Sequence, residues 1–248
     1  MCAAAALFAF AGPARAAYVI KQDTTNMVAN TTDWSVAPGT NDIGEFNATI
    51  SSGNESFLTL GGDLSIGGLQ FDGSLNGPVI IGDDGNSLLL NNTGTDIDAS
   101  QANQNITINC AVALGASQTW NVTNTQTLSV GGAIRDGGSD FSLTMTGAGT
   151  LSLAGTNTYS GATTISNGVL QIGATGSISN SPVIFVGTNG AFDVSSRAGT
   201  FTLANLQTLE GYGVVTGAVT AAAGSQIIPG TIGSVGVLTF TNDLTESA

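Results

Sequence analysis

Four aspartates form two close pairs that could hold a cation or act on a sugar. Asp83 and Asp84 are adjacent in GDDGN, and Asp96 and Asp98 alternate in TDIDA. Ca²⁺ takes six to eight oxygen ligands, so two acidic pairs about one short coil apart could converge on one ion. Sugar hydrolysis likewise needs two facing carboxyl groups. The competing interpretation is solvated turns, which Asp and Asn favour, because no calcium-loop motif is present. The four aspartates are therefore candidate Ca²⁺ ligands, and no other metal site is predicted.

The basic side chains that polysaccharide cleavage would use are scarce. The chain has no His and only four Lys and Arg residues, namely Arg15, Lys21, Arg135 and Arg197. A lyase needs a Lys or Arg base together with Ca²⁺-binding carboxylates. Lys21 lies in an irregular N-terminal segment, and Arg135 lies in a turn. We therefore predict a non-catalytic chain with no catalytic residue and no cofactor.

Several aromatic residues could stack on sugars, but each also has a packing interpretation. Trp34, Tyr159 and Tyr212 are the candidates for stacking. We expect Trp34 to pack in an N-terminal cap and Tyr159 to have a structural role, because aromatic side chains dominate buried cores. Trp120 is expected on an inward face. Cys110 alternates with apolar neighbours, so we expect a buried thiol that behaves as a small hydrophobe.

The composition excludes some partners and favours a packed core. The formal net charge is −13, and only 8% of the residues are charged. Phosphate contacts require clustered Lys and Arg, so we predict no nucleic-acid partner and no attraction to anionic membranes. The chain is nevertheless 42% hydrophobic, which is enough apolar surface to bury a core.

The N-terminus is typical of an export signal. Residues 2–12 form a short apolar run, and Ala14, Arg15 and Ala16 resemble a cleavage site before Ala17. The run is too short to span a bilayer, which takes roughly 20 residues. No Lys or Arg precedes it, which favours a true start upstream of Met1. We predict a signal peptide over residues 1–16 and no transmembrane segment.

Alternation of apolar and polar residues predicts short strands through most of the chain. In ITINCAVAL, the odd positions are apolar and the even positions are small or polar, a period of two that marks a half-buried strand. Apolar runs preceded by glycine recur about every 20 residues near 149, 168, 190 and 213, an interval that suits a solenoid coil. We predict nine or ten coils over residues 57–248, in a rod somewhat over 40 Å long. Residues 17–56 would form a less regular lead-in or cap.

One stretch of 27 residues carries a specific resemblance. GAGTLSLAGTNTYSGATTISNGVLQIG, residues 147–173, resembles the autotransporter-associated β-strand repeat, including Gly149, Gly155, Asn157, Tyr159 and Gly168. The segments 62–73 and 211–240 are similar to its flanking strands. The resemblance implies an all-β fold, a right-handed parallel β-helix, exported to the cell surface or beyond. A complete autotransporter also carries a C-terminal membrane barrel, which this sequence does not show. We therefore expect a piece of a longer, outer-membrane-anchored chain, a stand-alone passenger-like protein, or one anchored by a lost C-terminal sorting signal.

These observations predict an exported bacterial β-solenoid with a structural or adhesive surface role. Its partners would be surface glycans or matrix proteins. The alternative is a carbohydrate-binding or polysaccharide-processing β-helix, which a groove of aligned carboxylates and aromatic side chains would distinguish.

Overall fold

A computed structural model describes residues 18–20, 38–47, 58–92, 94–123, 125–197 and 199–247, with backbone alone for 18–20. All regular secondary structure in these ranges is strand, which confirms the all-β prediction. The strands are Tyr18–Ile20 (β1), Ile43–Phe46 (β2), Leu64–Ile66 (β3), Gly68–Phe71 (β4), Val79–Ile81 (β5), Ser87–Leu90 (β6), Thr95–Ala99 (β7), Ile106–Ile108 (β8), Ala111–Leu114 (β9), Gln118–Val122 (β10), Thr127–Val130 (β11), Ile134–Arg135 (β12), Leu143–Thr146 (β13), Thr150–Leu153 (β14), Thr163–Ile172 (β15), Val183–Asp193 (β16), Phe201–Leu203 (β17), Thr208–Gly211 (β18), Val214–Thr216 (β19), Val219–Ala221 (β20), Gln226–Thr231 (β21), Ser234–Val235 (β22), Thr239–Phe240 (β23) and Leu244–Glu246 (β24).

The strands stack in parallel on three faces, as the solenoid prediction required. The first face contains β1, β2, β4, β7, β10, β13, the first halves of β15 and β16, β18 and β21. The second contains β5, β8, β11, β14, the second halves of β15 and β16, β19 and β23. The third contains β3, β6, β9 and β12, and then β17, β20 and β24. Only β21 and β22 pair antiparallel among the described strands.

The coils, each one circuit of the three faces, are longer than expected. Eight strands of the first face follow residue 57, from β4 to β21, so the chain makes about eight coils. The prediction of nine or ten was wrong because it took one interval for the whole chain. Leu143 pairs with Thr163, 20 positions on, but Leu69 pairs with Ile97, 28 positions on. At about 4.8 Å per coil, eight coils span about 38 Å.

Inward side chains from successive coils form continuous apolar rows. On the first face, Trp120, Met145, Ile165 and Val186 stack in register and are all buried. Burying each such side chain contributes about 1.5–3 kcal/mol, which is what holds neighbouring coils together. The expected inward position of Trp120 is confirmed. Cys110 is also buried as a free thiol, and burial raises its pKa to about 12, with Asp84 adding repulsion.

A break in the third face is bridged by the side chain of one asparagine together with backbone hydrogen bonds. No strand lies on this face between β12 and β17 in the described residues. There the Asn157 amide nitrogen donates to the carbonyls of Gly155 and Ser177, each at 3.0 Å. Its carbonyl oxygen accepts from the Ile134 N–H at 2.9 Å. The backbone also joins the coils here, since the Asn157 N–H donates to the Ser177 carbonyl at 3.0 Å and the Ser177 N–H donates to the Gly155 carbonyl at 3.1 Å. The Asn157 side chain adds to these bonds and gives the buried Ile134 N–H its partner.

The glycines of the repeat permit close approach between coils. Gly168 lies at φ 77°, and a Cβ added there would stand 2.5 Å from the Gly149 carbonyl oxygen below it. The Gly149 carbonyl itself accepts a hydrogen bond from the Val169 N–H at 2.9 Å. Glycine is needed at this position for two reasons, its left-handed backbone and the absence of a side chain.

Candidate functional site

Asp83 and Asp84 are exposed carboxylates that hold a turn between β5 and β6. Asp83 accepts from the Gly85 N–H at 3.1 Å, and Asp84 accepts from the Asn86 N–H at 3.2 Å. Asp84 also accepts from the Gly61 N–H of the preceding coil at 2.6 Å. Burial slightly opposes ionisation, but these hydrogen bonds outweigh it and lower the pKa of Asp84. Both side chains thus act as the turn carboxylates of the competing interpretation.

Asp96 is fully buried in β7. The pairing of β7 with β10 shifts between Thr119 and Trp120, so that Asp96 is an extra residue in its strand. One carboxylate oxygen accepts from the Thr119 N–H at 3.1 Å, and the other has no hydrogen-bond partner among the described residues. Burial raises the pKa of Asp96 to about 7, which the Thr119 hydrogen bond only partly offsets. A bulge changes the direction in which a side chain points, and this explains why the Asp96 carboxylate is buried.

The two acidic pairs occupy different parts of the coil. Asp83 and Asp84 lie in a turn between the second and third faces, whereas Asp96 and Asp98 lie on the first face. Asp98 accepts from the Ser100 N–H at 3.0 Å. Within the described ranges, no three His, Cys, Asp or Glu side chains come close enough to hold a metal ion. Calcium binding by these four residues stays a prediction.

The aromatic candidates separate into core and surface. Tyr159 is buried, and its hydroxyl lies 2.6 Å from the Thr163 hydroxyl, which donates to Ser181 at 2.9 Å. This confirms the structural role expected of it. Tyr212 is half-buried and packs edge-on against Phe185 with ring centres 6.3 Å apart. Trp34, Lys21 and the predicted signal peptide lie outside the described residues.

The outer side of the second face presents a row of polar side chains, one from each of six successive coils. These residues are Thr107, Ser129, Ser152, Gln171, Asp193 and Thr216. The Ser152 hydroxyl donates to Gln171 at 3.4 Å, and the Gln171 amide donates to Asp193 at 3.2 Å. Alternation along each strand predicts outward hydroxyls, whereas their alignment comes from the coil register. The result is a flat strip of hydrogen-bonding groups along the rod.

A notch opens where the third face is interrupted. It has a volume of about 100 Å³ and lies between the segment 176–179 and β17, which pairs with β20 on its other side. Its lining is four hydroxyls, one guanidinium and one aromatic ring, from Ser177, Ser179, Arg197, Thr200, Phe201 and Thr202. Sequence reasoning assigned no role to Arg197. The available signal was only that it is one of four basic residues in an acidic chain.

A well-satisfied carboxylate lies beside the repeat. Asp136 accepts hydrogen bonds from the Gly138 N–H at 2.9 Å, the Phe141 N–H at 3.1 Å and the Ser160 N–H at 2.9 Å, and from the Ser160 hydroxyl at 2.7 Å. Burial acts to raise its pKa, but the hydrogen bonds outweigh burial and lower it. Arg135, next to it, is exposed at the end of β12 and not in the turn that the sequence suggested. These contacts indicate a structural role for Asp136 in joining neighbouring coils.

No helix among the described residues is long and apolar enough to cross a bilayer.

Comparison with known proteins supports the resemblance found in the sequence. Residues 143–172 match the family model for the passenger-associated-transport-repeat. A stretch of 122 residues, 47% of this chain, is 33% identical to the Adhesin BmaC autotransporter of Brucella suis biovar 1 (strain 1330), of which it covers 4%. No solved structure matches. Residues 143–172 therefore form a passenger-associated-transport-repeat within a β-solenoid, and both comparisons support the resemblance of the chain to the passenger-type repeat proteins of autotransporters.

Proposed function

We propose that the chain is part of an exported, non-catalytic rod that gives a bacterial surface structural and adhesive properties. The observation that carries the proposal is the 33% identity to a protein named as an autotransporter adhesin. The passenger-type repeat within a continuous solenoid supports it. Because the chain covers 4% of that adhesin, its role in the whole protein and its surface or extracellular location belong to the proposal.

The surface of the rod suits adhesion by many weak contacts. The polar strip of the second face repeats one hydrogen-bonding side chain over six successive coils, so a long ligand can meet several equivalent groups in succession. Linked weak contacts raise overall affinity without any one of them being strong. The strip is held rigid by the apolar rows beneath it, which reduces the entropy lost on binding. Surface glycans and matrix proteins are the proposed partners.

A binding screen on the full chain tests this function. The folded protein would be immobilised on beads and presented to glycan and matrix-protein surfaces, with and without Ca²⁺. Selective and saturable attachment is expected. Attachment that requires Ca²⁺ would bring the acidic turn of Asp83 and Asp84 into the binding mechanism. A folded protein that attaches to none of these surfaces would refute adhesion by this part of the chain.

A further inference from the structure

The guanidinium of Arg197 is held in place at the notch before any ligand arrives. Its Nη1 donates to the Gly176 carbonyl of the preceding coil. Its central carbon lies 5.8 Å from the centre of the Phe201 ring, within the range of a cation–π contact. Phe201 is itself fixed by Phe192, whose ring packs edge-on against it with ring centres 5.1 Å apart. A cation positioned in advance loses little side-chain freedom when it binds a ligand.

One donor of this guanidinium remains unused. Arg197 Nε is buried and makes no hydrogen bond within the described part of the chain. An unpaired donor on a charged group is unfavourable in a folded protein. Because Nε is closed off from solvent and Nη1 is engaged by the backbone, Nη2 is the donor that a ligand in the notch can reach. A carboxylate that accepts from Nη2 forms a charge-assisted hydrogen bond with this guanidinium.

The rest of the lining is typical of sugar recognition. Ser177, Ser179, Thr200 and Thr202 supply hydroxyls that can both donate and accept, and Phe201 supplies an apolar surface. The volume of about 100 Å³ is below the roughly 300–1,000 Å³ of pockets that enclose a drug-sized ligand. The notch therefore fits one terminal group of a larger molecule.

The charge of the chain limits what that molecule can be. With a formal net charge of −13, the protein repels polyanions as a whole. A single carboxylate on an otherwise neutral glycan avoids this repulsion and still pairs with Arg197. We propose that the notch binds the carboxylate of one acidic sugar at the end of a neutral glycan, an inference that rests on the proposed adhesive function.

Sialyllactose and lactose form a matched pair of probes, because they share the neutral disaccharide and differ in the terminal acidic sugar. Titration of the full chain by calorimetry or by amide chemical shifts is expected to give saturable, weak binding of sialyllactose. Lactose is expected to bind at least about tenfold more weakly, the loss that a charge-assisted hydrogen bond implies. Equal affinity for the two sugars, or no binding of sialyllactose, would overturn the proposal.

Two substitutions locate the binding, and a third is the control. Arg197→Gln is expected to weaken sialyllactose binding at least about tenfold. Arg135→Gln removes the same charge at an exposed position on β12 and is expected to leave the affinity unchanged. Thr202→Val removes one hydroxyl while keeping a β-branched side chain, and is expected to weaken binding severalfold without changing the melting temperature. It keeps the test valid if Arg197→Gln destabilises the fold.

The outcomes separate this site from the function on which it rests. Wild-type affinity for sialyllactose in both the Arg197 and Thr202 variants would overturn the proposal that the notch is the binding site. This holds even if beads coated with the protein still attach to glycan surfaces. Failure of attachment to every glycan and matrix surface would instead refute the adhesive function. Loss of sialyllactose binding in Arg197→Gln, with Arg135→Gln intact, is the result expected.

Discussion

Replacing Asp96 with Asn should change how the stability of the solenoid depends on pH. The folded pKa of this carboxyl is raised by burial from 3.8 to about 7. Between these values, the unfolded chain holds the group ionised while the folded chain protonates it, so folding takes up a proton. Stability therefore falls as pH rises from about 4 to 7 and is lowest above the folded pKa.

The magnitude follows from the same two values. A difference from 3.8 to about 7 corresponds to at most about 4 kcal/mol of lost stability above pH 7. Asp96→Asn removes this loss and keeps an acceptor for the Thr119 N–H. It also leaves a buried amide N–H₂ without a partner, which costs about 1–3 kcal/mol at every pH. The variant should thus be about 1–3 kcal/mol more stable than wild type near pH 8 and less stable near pH 4.

Urea unfolding followed by far-UV circular dichroism at several pH values between about 4 and 8 measures this crossover. Asp98→Asn, which removes one carboxylate from the same strand, controls for the change in net charge. Below about pH 4, wild type and variant should both lose stability, because Asp84 and Asp136 have lowered pKa values and must then take up protons. Parallel profiles for wild type and Asp96→Asn across the whole range would refute the buried-carboxylate explanation.

Three further substitutions, two of them with a matched control variant, test the packing of the repeat by thermal and urea unfolding. Gly168→Ala should destabilise by about 2–4 kcal/mol, since it adds a coil-to-coil clash to an unfavourable φ, whereas Gly85→Ala, at a similar φ in open space, should cost only about 1 kcal/mol. Equal losses would argue against the clash. Asn157→Ala should cost about 1–3 kcal/mol, because it leaves the buried Ile134 N–H without its hydrogen-bond partner. Leu153→Asp should prevent folding by placing a charge in the apolar stack. Thr150→Ala, on the outer side of the same strand, should leave the stability nearly unchanged. A larger loss of stability in Thr150→Ala than in Leu153→Asp would mean that the inward and outward faces had been exchanged.

The general architecture could be predicted from local sequence. Alternation of apolar and polar residues places Leu153 inside and Thr150 outside without knowledge of any other coil, because successive side chains of a strand point to opposite faces. The glycine spacing and the repeat motif then indicate stacking in parallel. The number of coils was overestimated because coil length is set by turns whose lengths differ, and turn insertions leave the period of two unchanged.

The environments of individual polar residues required the tertiary structure. Asp83 forms the local turn that the sequence suggests, since an Asx turn is a local interaction. Asp84 makes a similar turn but also accepts from Gly61 of the preceding coil, a contact that only the tertiary structure provides. Asp96 does not behave as the sequence suggests, because its burial depends on a bulge in its pairing with a strand that follows more than 20 residues later. The residues around Arg197 come from segments in two different coils, and no local sequence pattern predicts that these segments lie together.

The sequence by itself therefore determined the strand content, the inward and outward faces and the repeat, all of which are consequences of backbone geometry over a few residues. Only the tertiary structure decided which carboxylate is buried, where an asparagine side chain bridges coils that lack a strand, and where the third face opens into a notch. These features depend on the register between coils, which is fixed by the packing of residues far apart in the chain.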